Sequence, residues 1–162
     1  MFMEKDCSEI IIGNVCFIRD KKNNKVLLLK RSKGSMQNMF AGVGGKTNFK
    51  ESPYESCSRE AKEETGLNIS EIKLRGVIKT ILEGTKSYWI LFVYTADEFN
   101  GELISCNEGE LSWVDVDKIY SYKLIGFIKK LMPYVLSDNI FFEGLIIHDI
   151  DGNIISDDII IV

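Results

Sequence analysis

The chain has 162 residues, of which 45% are hydrophobic and 27% are charged, and its formal net charge is −4. This length and balance predict a single domain over residues 1–162 with enough apolar side chains for a substantial core. The acidic net charge argues against stable nucleic-acid binding. Because no apolar run approaches the length of a transmembrane span, no membrane association is expected.

Taken in chain order, the predicted elements alternate between strands and helices. β-Branched apolar runs predict a first hairpin, and a glycine-bearing loop over residues 34–45 leads to a capped helix. The order favours an α/β fold with a mixed β-sheet and helices on its faces. The predicted strands cover residues 10–18, 26–29, 72–82, 88–96, 111–114, 141–148 and 153–161, and a second helix covers residues 126–136.

The first helix has a clear start and a clear end in the sequence. Ser52 and Glu55 form a capping box around Pro53, and Gly66 is a natural left-handed stop. Helical spacing predicts that one face of this helix packs inward, and its residues are Tyr54, Cys57, Ser58 and Ala61.

A different face of this helix carries three glutamates. Glu60, Glu63 and Glu64 stand at positions i, i+3 and i+4, so their carboxylates converge. Hard oxygen ligands of this kind suit Mg²⁺ or Mn²⁺. The alternative for such a pattern is a solvated acidic face that Arg59 and Lys62 balance.

The segment over residues 45–67, GKTNFKESPYESCSREAKEETGL, resembles the signature motif of the Nudix hydrolases at every specified position. A full chance match is below about one in ten million per window, so the pattern is not accidental. The resemblance extends over nearly the whole chain and implies an α/β/α sandwich. The matching positions are Gly45, Glu51, Arg59, Glu60, Ala61, Glu63, Glu64, Gly66 and Leu67.

The resemblance implies roles for these positions. Glu60, Glu63 and Glu64 hold Mg²⁺, for which Mn²⁺ can substitute, with the Gly45 carbonyl as a further ligand. An ion pair between Glu51 and Arg59 braces the carboxylates. Water then attacks a phosphorus of a diphosphate bridge, and the proton acceptor is Glu60 or a glutamate of the loop 107–110. In that loop Glu108 fits slightly better than Glu110.

Stretches outside the motif resemble the MutT-type branch, which hydrolyses nucleoside triphosphates, including oxidised purine forms such as 8-oxo-dGTP, to monophosphate and pyrophosphate. Arg31, Lys33 and Lys46 are candidates for phosphate contacts. Phe40, Met39 and Trp113 are candidates for stacking on a base. Where the oxidised-purine enzymes have a base-reading asparagine this chain has Ala41, so weak discrimination among bases is expected.

Two alternatives stay open on the sequence alone. The protein is a Nudix hydrolase of another nucleoside diphosphate derivative, or a non-catalytic nucleotide-binding sensor that kept the fold. The substrate partner is a small-molecule nucleotide in either case, and the protein is a monomer or a homodimer.

The remaining residues give weaker signals. The four cysteines, Cys7, Cys16, Cys57 and Cys106, have no zinc-binding spacing and are expected to be reduced, which is typical of a cytoplasmic protein. No signal peptide is expected from the polar start of the chain. His148 is the only histidine, and the pattern predicts that it lies on a strand surface.

Overall fold

The computed structural model describes residues 9–162, so the predictions for Cys7 and for the polar start of the chain lie outside the described residues. The elements in chain order are β1 (Glu9–Asp20), β2 (Lys25–Arg31), β3 (Phe40–Ala41), α1 (Pro53–Thr65), β4 (Asn68–Leu82), β5 (Ser87–Asn100), β6 (Gly109–Asp115), a 3₁₀ turn (Val116–Ser121), α2 (Gly126–Val135), β7 (Phe142–His148) and β8 (Ile154–Ile161).

The strands form one mixed sheet in the order β3-β2-β1-β5-β4-β7-β8, and β6 pairs with β2 outside this path. Strand β1 runs parallel to β5, and β4 runs parallel to β7. The pairs β1–β2, β4–β5 and β7–β8 are antiparallel. The predicted α/β fold with a mixed sheet is therefore confirmed.

The two helices cover opposite faces of the central strands, and neighbouring side chains of β1 pack against different helices. Phe17 belongs to the apolar cluster that includes Leu131 of α2. Its neighbour Cys16 belongs to a second cluster with Cys57 and Ala61 of α1. Because successive side chains of a strand point to opposite faces, one apolar strand supplies both cores. This arrangement is typical of strands that are buried on both sides.

The main differences from the predicted elements are short or irregular segments. The two-residue strand β3 was not predicted, because its extended form depends on pairing with β2 rather than on a pattern of its own. Strands β4 and β5 extend beyond their predicted limits and pair along most of their length. Among the described residues, no helix has the length and apolar character to cross a membrane.

A buried arginine joins the end of α2 to the sheet. Arg19 is 5% exposed and donates to both carboxylate oxygens of Asp97, at 2.6 and 2.8 Å. It also donates to the carbonyl of Val135 at 3.0 Å and to the carboxylate of Asp138 at 2.9 Å. Lys21 donates to the same Asp138 oxygen from an exposed position. The C-terminal end of α2 is thus held against β1 and β5.

We expect Arg19→Met to lower the free energy of unfolding by about 3 kcal/mol, because it leaves the carboxylate of Asp97 buried without its main partner. The exposed Lys21→Met variant removes a charge from the same acids and is the matched control, with an expected loss below about 1 kcal/mol. Urea unfolding of the two variants checks this. Equal losses would contradict the role given to Arg19.

Candidate functional site

Helix α1 begins and ends where the sequence predicts. The Ser52 side chain accepts from the backbone N–H of Glu55 at 3.2 Å, and the Glu55 carboxylate accepts from the Ser52 N–H at 2.8 Å. Gly66 adopts a left-handed conformation with φ of 81°, and its N–H donates to the carbonyl of Lys62. These local contacts set the rotation of the helix and therefore the direction of its glutamates.

Arg59 lies at the centre of the charged face of α1. Its guanidinium forms two hydrogen bonds with Glu51, at 2.7 and 2.9 Å, and further ones with Glu60 at 2.8 Å and Glu63 at 3.1 Å. The hydrogen bond from Arg59, followed by one from the backbone of Asn48, lowers the pKa of Glu51 to about 2. One arginine therefore compensates three carboxylates.

Glu64 is in a different environment from the other glutamates of α1. It is 8% exposed and accepts a hydrogen bond from the backbone N–H of Gly44 at 2.9 Å. Burial raises the pKa of Glu64 to about 7, and the negative charges of Glu60 and Glu108 add to the rise. Among residues 9–162 no lysine or arginine forms an ion pair with this carboxylate, and the charge of Arg31 only partly offsets the rise in its pKa.

The segment before α1 approaches the helix closely at position 45. A β-carbon there would lie 2.7 Å from the carboxylate carbon of Glu60. The Gly45 carbonyl accepts from the backbone N–H of Asn14 at 2.9 Å and from its side chain at 3.4 Å. The Asn14 side chain also donates to Ser56 of α1 at 2.8 Å. Gly45 thus lies between β1 and α1, with its carbonyl on Asn14 and its α-carbon beside the carboxylate of Glu60.

These oxygens fit a hard divalent cation in their chemistry. Glu60 and Glu64 both face the segment that contains Gly45, whereas the exposed Glu63 is turned toward Arg59. Within residues 9–162, no three histidine, cysteine, aspartate or glutamate side chains already surround a common point as a metal site does. Glu63 and Gly45 therefore contribute to a shared site only with a change in their present hydrogen bonds.

The two candidate bases from the loop 107–110 lie in different places. Glu108 is in the loop beside β2, where its carbonyl accepts from the N–H of Ser32 and its carboxylate pairs with Lys33 at 3.3 Å. Its charge also reaches Glu64, whose pKa it helps to raise. Glu110 lies in β6 opposite Lys30 and is exposed. The position of Glu108 suits the predicted role better.

A cavity of about 420 Å³ opens beside the Gly44–Gly45 segment. Arg31 and Trp89 line it, and the Arg31 Nε atom is buried without a hydrogen-bond partner in the described part of the chain. Lys46 lies over the Trp89 ring at 5.7 Å from its centroid. Two of the predicted phosphate-binding residues, Arg31 and Lys46, are therefore at the cavity or beside it.

The predicted stacking residues lie in the cores. Phe40 packs edge-on against Tyr122 at 5.2 Å beside the core under α2. Trp113 packs against Phe99 at 5.0 Å on the α1 side of the sheet, away from the residues that line the cavity. The aromatic ring that does line the cavity belongs to Trp89, which sequence analysis missed. Its place in the apolar run of β5 was visible, but not the face to which it points.

Two predictions about burial are wrong. His148 is not a surface residue: it is 7% exposed, and its ring stacks on Phe127 of α2. Tyr54 does not pack inward but is 52% exposed, while Ser56 is buried in its place. The inward face of α1 is thus rotated toward Ser56, because Asn14 provides a polar partner for that hydroxyl.

We expect Glu64→Gln to raise the free energy of unfolding of the metal-free protein by about 2–3 kcal/mol at pH 8. A carboxyl whose pKa is higher in the folded state destabilises that state as the pH rises from about 4.3, the value in the unfolded chain, through about 7. The gain should therefore be near zero at pH 4 and increase toward pH 8.

Urea unfolding in EDTA across this pH range measures the effect. The exposed neighbour variant Glu63→Gln is the control and should show no such increase. A pH-independent difference for Glu64→Gln would contradict the burial of a charged Glu64.

Known proteins share both the sequence and the fold. A family model of the NUDIX domain matches residues 12–135. The chain is 36% identical over 101 residues to the uncharacterised Nudix hydrolase YvcI of Bacillus subtilis (60% of this chain, 62% of that one). It is 30% identical over 95 residues to an oxidised purine nucleoside triphosphate hydrolase of Danio rerio (59% and 61%). It is 36% identical over 83 residues to an ADP-ribose pyrophosphatase of Methanocaldococcus jannaschii (51% and 49%).

The chain thus spans about three fifths of the length of the first two relatives and about half of the third. Among solved structures, a MutT protein of Bacillus halodurans has a TM-score of 0.82 at 27% identity, covering 92% of this chain and 97% of that one. Because the NUDIX model matches most of the chain and the fold agrees, this protein belongs to the Nudix hydrolase family.

Proposed function

We propose that the protein hydrolyses nucleoside triphosphates to the nucleoside monophosphate and pyrophosphate, with Mg²⁺ bound at the carboxylates of α1 and Mn²⁺ able to replace it. The observation that carries the proposal is the contact between the two halves of the site. The Gly44–Gly45 segment touches Glu60 and Glu64 on one side and lines the cavity on the other. A substrate with charged phosphates and a flat apolar base matches this division.

Glu60, Glu63 and Glu64 would hold the cation, and Gly45 would offer its carbonyl in exchange for one of the hydrogen bonds from Asn14. When bound, the ion supplies positive charge where negative charge develops on the phosphate oxygens. Nudix hydrolases generally use divalent ions, which agrees with this donor set.

The remaining residues of the proposed site act around the reacting phosphate. Glu108 is the first candidate to accept the proton of the attacking water, and Glu60 is the second. Glu108 has the freer carboxylate, since its partner is the exposed Lys33, whereas Glu60 is already bound by Arg59. Arg31 and Lys46 would contact phosphate oxygens, which is supported by Arg31 lining the cavity and by Lys46 lying over the ring of the cavity residue Trp89.

For the base, Trp89 replaces Phe40 and Trp113 as the proposed stacking ring, because it alone of the three lines the cavity. Stacking on an aromatic face accepts any base. The apolar lining of Val15, Leu91, Ile125 and Ile128 suits such a ring and excludes water from it.

The second candidate function is hydrolysis of another nucleoside diphosphate derivative. The relative named ADP-ribose pyrophosphatase in Methanocaldococcus jannaschii favours ADP-ribose as its representative. In this case the second sugar phosphate would occupy the open mouth of the cavity instead of a terminal phosphate.

A panel of nucleoside triphosphates, ADP-ribose and nucleotide sugars tests the proposal directly. With Mg²⁺ present, we expect pyrophosphate and monophosphate from several triphosphates, with purines favoured through contact area and with differences among bases of about 10- to 200-fold at most, as for sites that read mainly by apolar contact. Analysis of products by ion-exchange chromatography separates the two candidates.

Release of AMP from ADP-ribose without turnover of any triphosphate would establish the second candidate. Glu63→Gln is the matched inactive variant and should lower turnover by orders of magnitude. If it turns over nucleotides like the natural chain, the carboxylate of Glu63 has no catalytic role. If the natural chain binds nucleotides but turns over none of them, a sensor function follows.

We expect Arg59→Ala to lower kcat by about ten- to a hundredfold, because it releases Glu51 and leaves Glu60 without its hydrogen bond. Glu51→Ala should cost a similar factor, and the double variant should be no worse than either single one, since both remove the same brace. Steady-state kinetics at saturating Mg²⁺ measures all three. Lys62→Ala, an exposed change on the same helix, is the control, and additive losses would contradict the brace.

A further inference from the structure

His148, at the last position of β7, is one of the residues that line the cavity, yet it is only 7% exposed. The Phe127 ring of α2 packs against the imidazole at 5.2 Å between centroids, with the two planes tilted by 35°. A polar ring is therefore packed into a cavity whose lining is mostly apolar.

The hydrogen bond of His148 decides which nitrogen is free. Nδ1 lies 2.8 Å from the carbonyl oxygen of Asp149. Since a carbonyl oxygen only accepts, Nδ1 carries the proton, and Nε2 of the neutral ring is an acceptor. Among residues 9–162, Nε2 has no hydrogen-bond partner. It is an acceptor available to a ligand in the cavity.

Thr80 places a second polar group between His148 and Trp89. Thr80 pairs with Trp89 on one side and with Ile146, two residues before His148, on the other. It is 5% exposed and lines the cavity, and its hydroxyl has no partner in the described part of the chain. Two strand spacings, about 10 Å, separate the Trp89 and His148 strands, which leaves room for one base between them.

We propose that this end of the cavity is a base-reading subsite, in which His148 Nε2 accepts a hydrogen bond from an N–H group of the base beside Trp89 and the Thr80 hydroxyl makes a neighbouring contact. The inference rests on the proposed function, because it takes the ligand to be a nucleotide whose phosphates lie at α1. It adds the chemistry that the subsite selects, namely a purine that presents an N–H donor at this edge.

The preference for an N–H donor follows from the different free-energy costs of burying Nε2 with and without a hydrogen bond. A base that offers an N–H satisfies the buried acceptor, whereas a base with a lone pair or a carbon–hydrogen bond there leaves Nε2 desolvated and unpaired. We expect this to favour the N–H form by about ten- to a hundredfold in kcat/KM. The weak discrimination expected from Ala41 and from stacking alone is thus supplemented by one polar contact.

Three pairs of triphosphates locate the contact, because in each pair one member carries an N–H donor at a position where the other has none. GTP against ITP tests the 2-amino group, ATP against purine riboside triphosphate tests the 6-amino group, and 8-oxo-dGTP against dGTP tests the N7 position. In the natural chain we expect at least one pair to differ by about tenfold or more. His148→Phe keeps an aromatic ring against Phe127 and removes Nε2. It should therefore lower kcat/KM only for the triphosphate that carries the N–H, which brings the kcat/KM ratio of that pair to near one.

The same pairs, as α,β-imido triphosphates titrated in EDTA, give affinities that do not depend on turnover or on bound metal. Thr80→Val should lower the affinity for the preferred nucleotide a fewfold. Its matched control is Thr95→Val, a buried β5 threonine whose hydroxyl also lacks a partner but which does not line the cavity. If His148→Phe does not fold, His148→Gln, which retains an acceptor, should keep part of the ratio, and Thr80→Val still tests the subsite.

The outcomes separate this inference from the proposed function. If the natural chain neither hydrolyses nor binds any triphosphate, the proposed function fails, and the subsite assignment fails with it. If the natural chain turns over triphosphates but no pair differs, or if His148→Phe leaves every ratio unchanged, the proposed function stands and the reading by His148 is overturned.

Discussion

The close approach of Gly45 to the carboxylate of Glu60 is the constraint on which the site depends. A β-carbon at position 45 would force the end of the Glu60 side chain to move, and one at position 44 would collide with the backbone carbonyl oxygen of Asn14. The loop keeps this place between β1 and α1 because glycine has no β-carbon. This contact brings the backbone of Gly44 and Gly45 to the glutamates and places the same loop at the cavity wall. Charged and apolar halves of the site are therefore joined by two glycine residues.

Strand β1 holds both halves in register. Asn14 fixes Gly45 through two hydrogen bonds and reaches Ser56 of α1 with its side chain. The next residue, Val15, points to the other face and lines the cavity. Because one rigid strand positions both, the distance between carboxylates and cavity does not depend on a mobile loop. This suits a reaction that requires substrate atoms to be placed accurately.

The glutamates near α1 differ in how their negative charge is compensated. Arg59 compensates Glu51, Glu60 and Glu63, whereas Glu64 is buried with only a backbone donor. The acidic helix is thus stable without an added cation except at Glu64, where burial opposes the charge. The carboxylate on which burial weighs most is also the one that accepts a hydrogen bond from Gly44 of the cavity loop, so a cation there would relieve the largest penalty.

The sequence by itself determined the parts of this protein that depend on near neighbours. The caps Ser52 and Gly66 and the i, i+3, i+4 spacing of the glutamates specify α1 and its acidic face within a few residues, and the pattern of apolar runs specifies a mixed sheet. Only the tertiary structure decided that Trp89 and His148 line the cavity while Trp113 lies in the opposite core. The physical reason is clearest in β5, where the run from Trp89 to Tyr94 is apolar without a break. Both faces of this strand are covered, so alternation no longer shows which side chain faces the cavity.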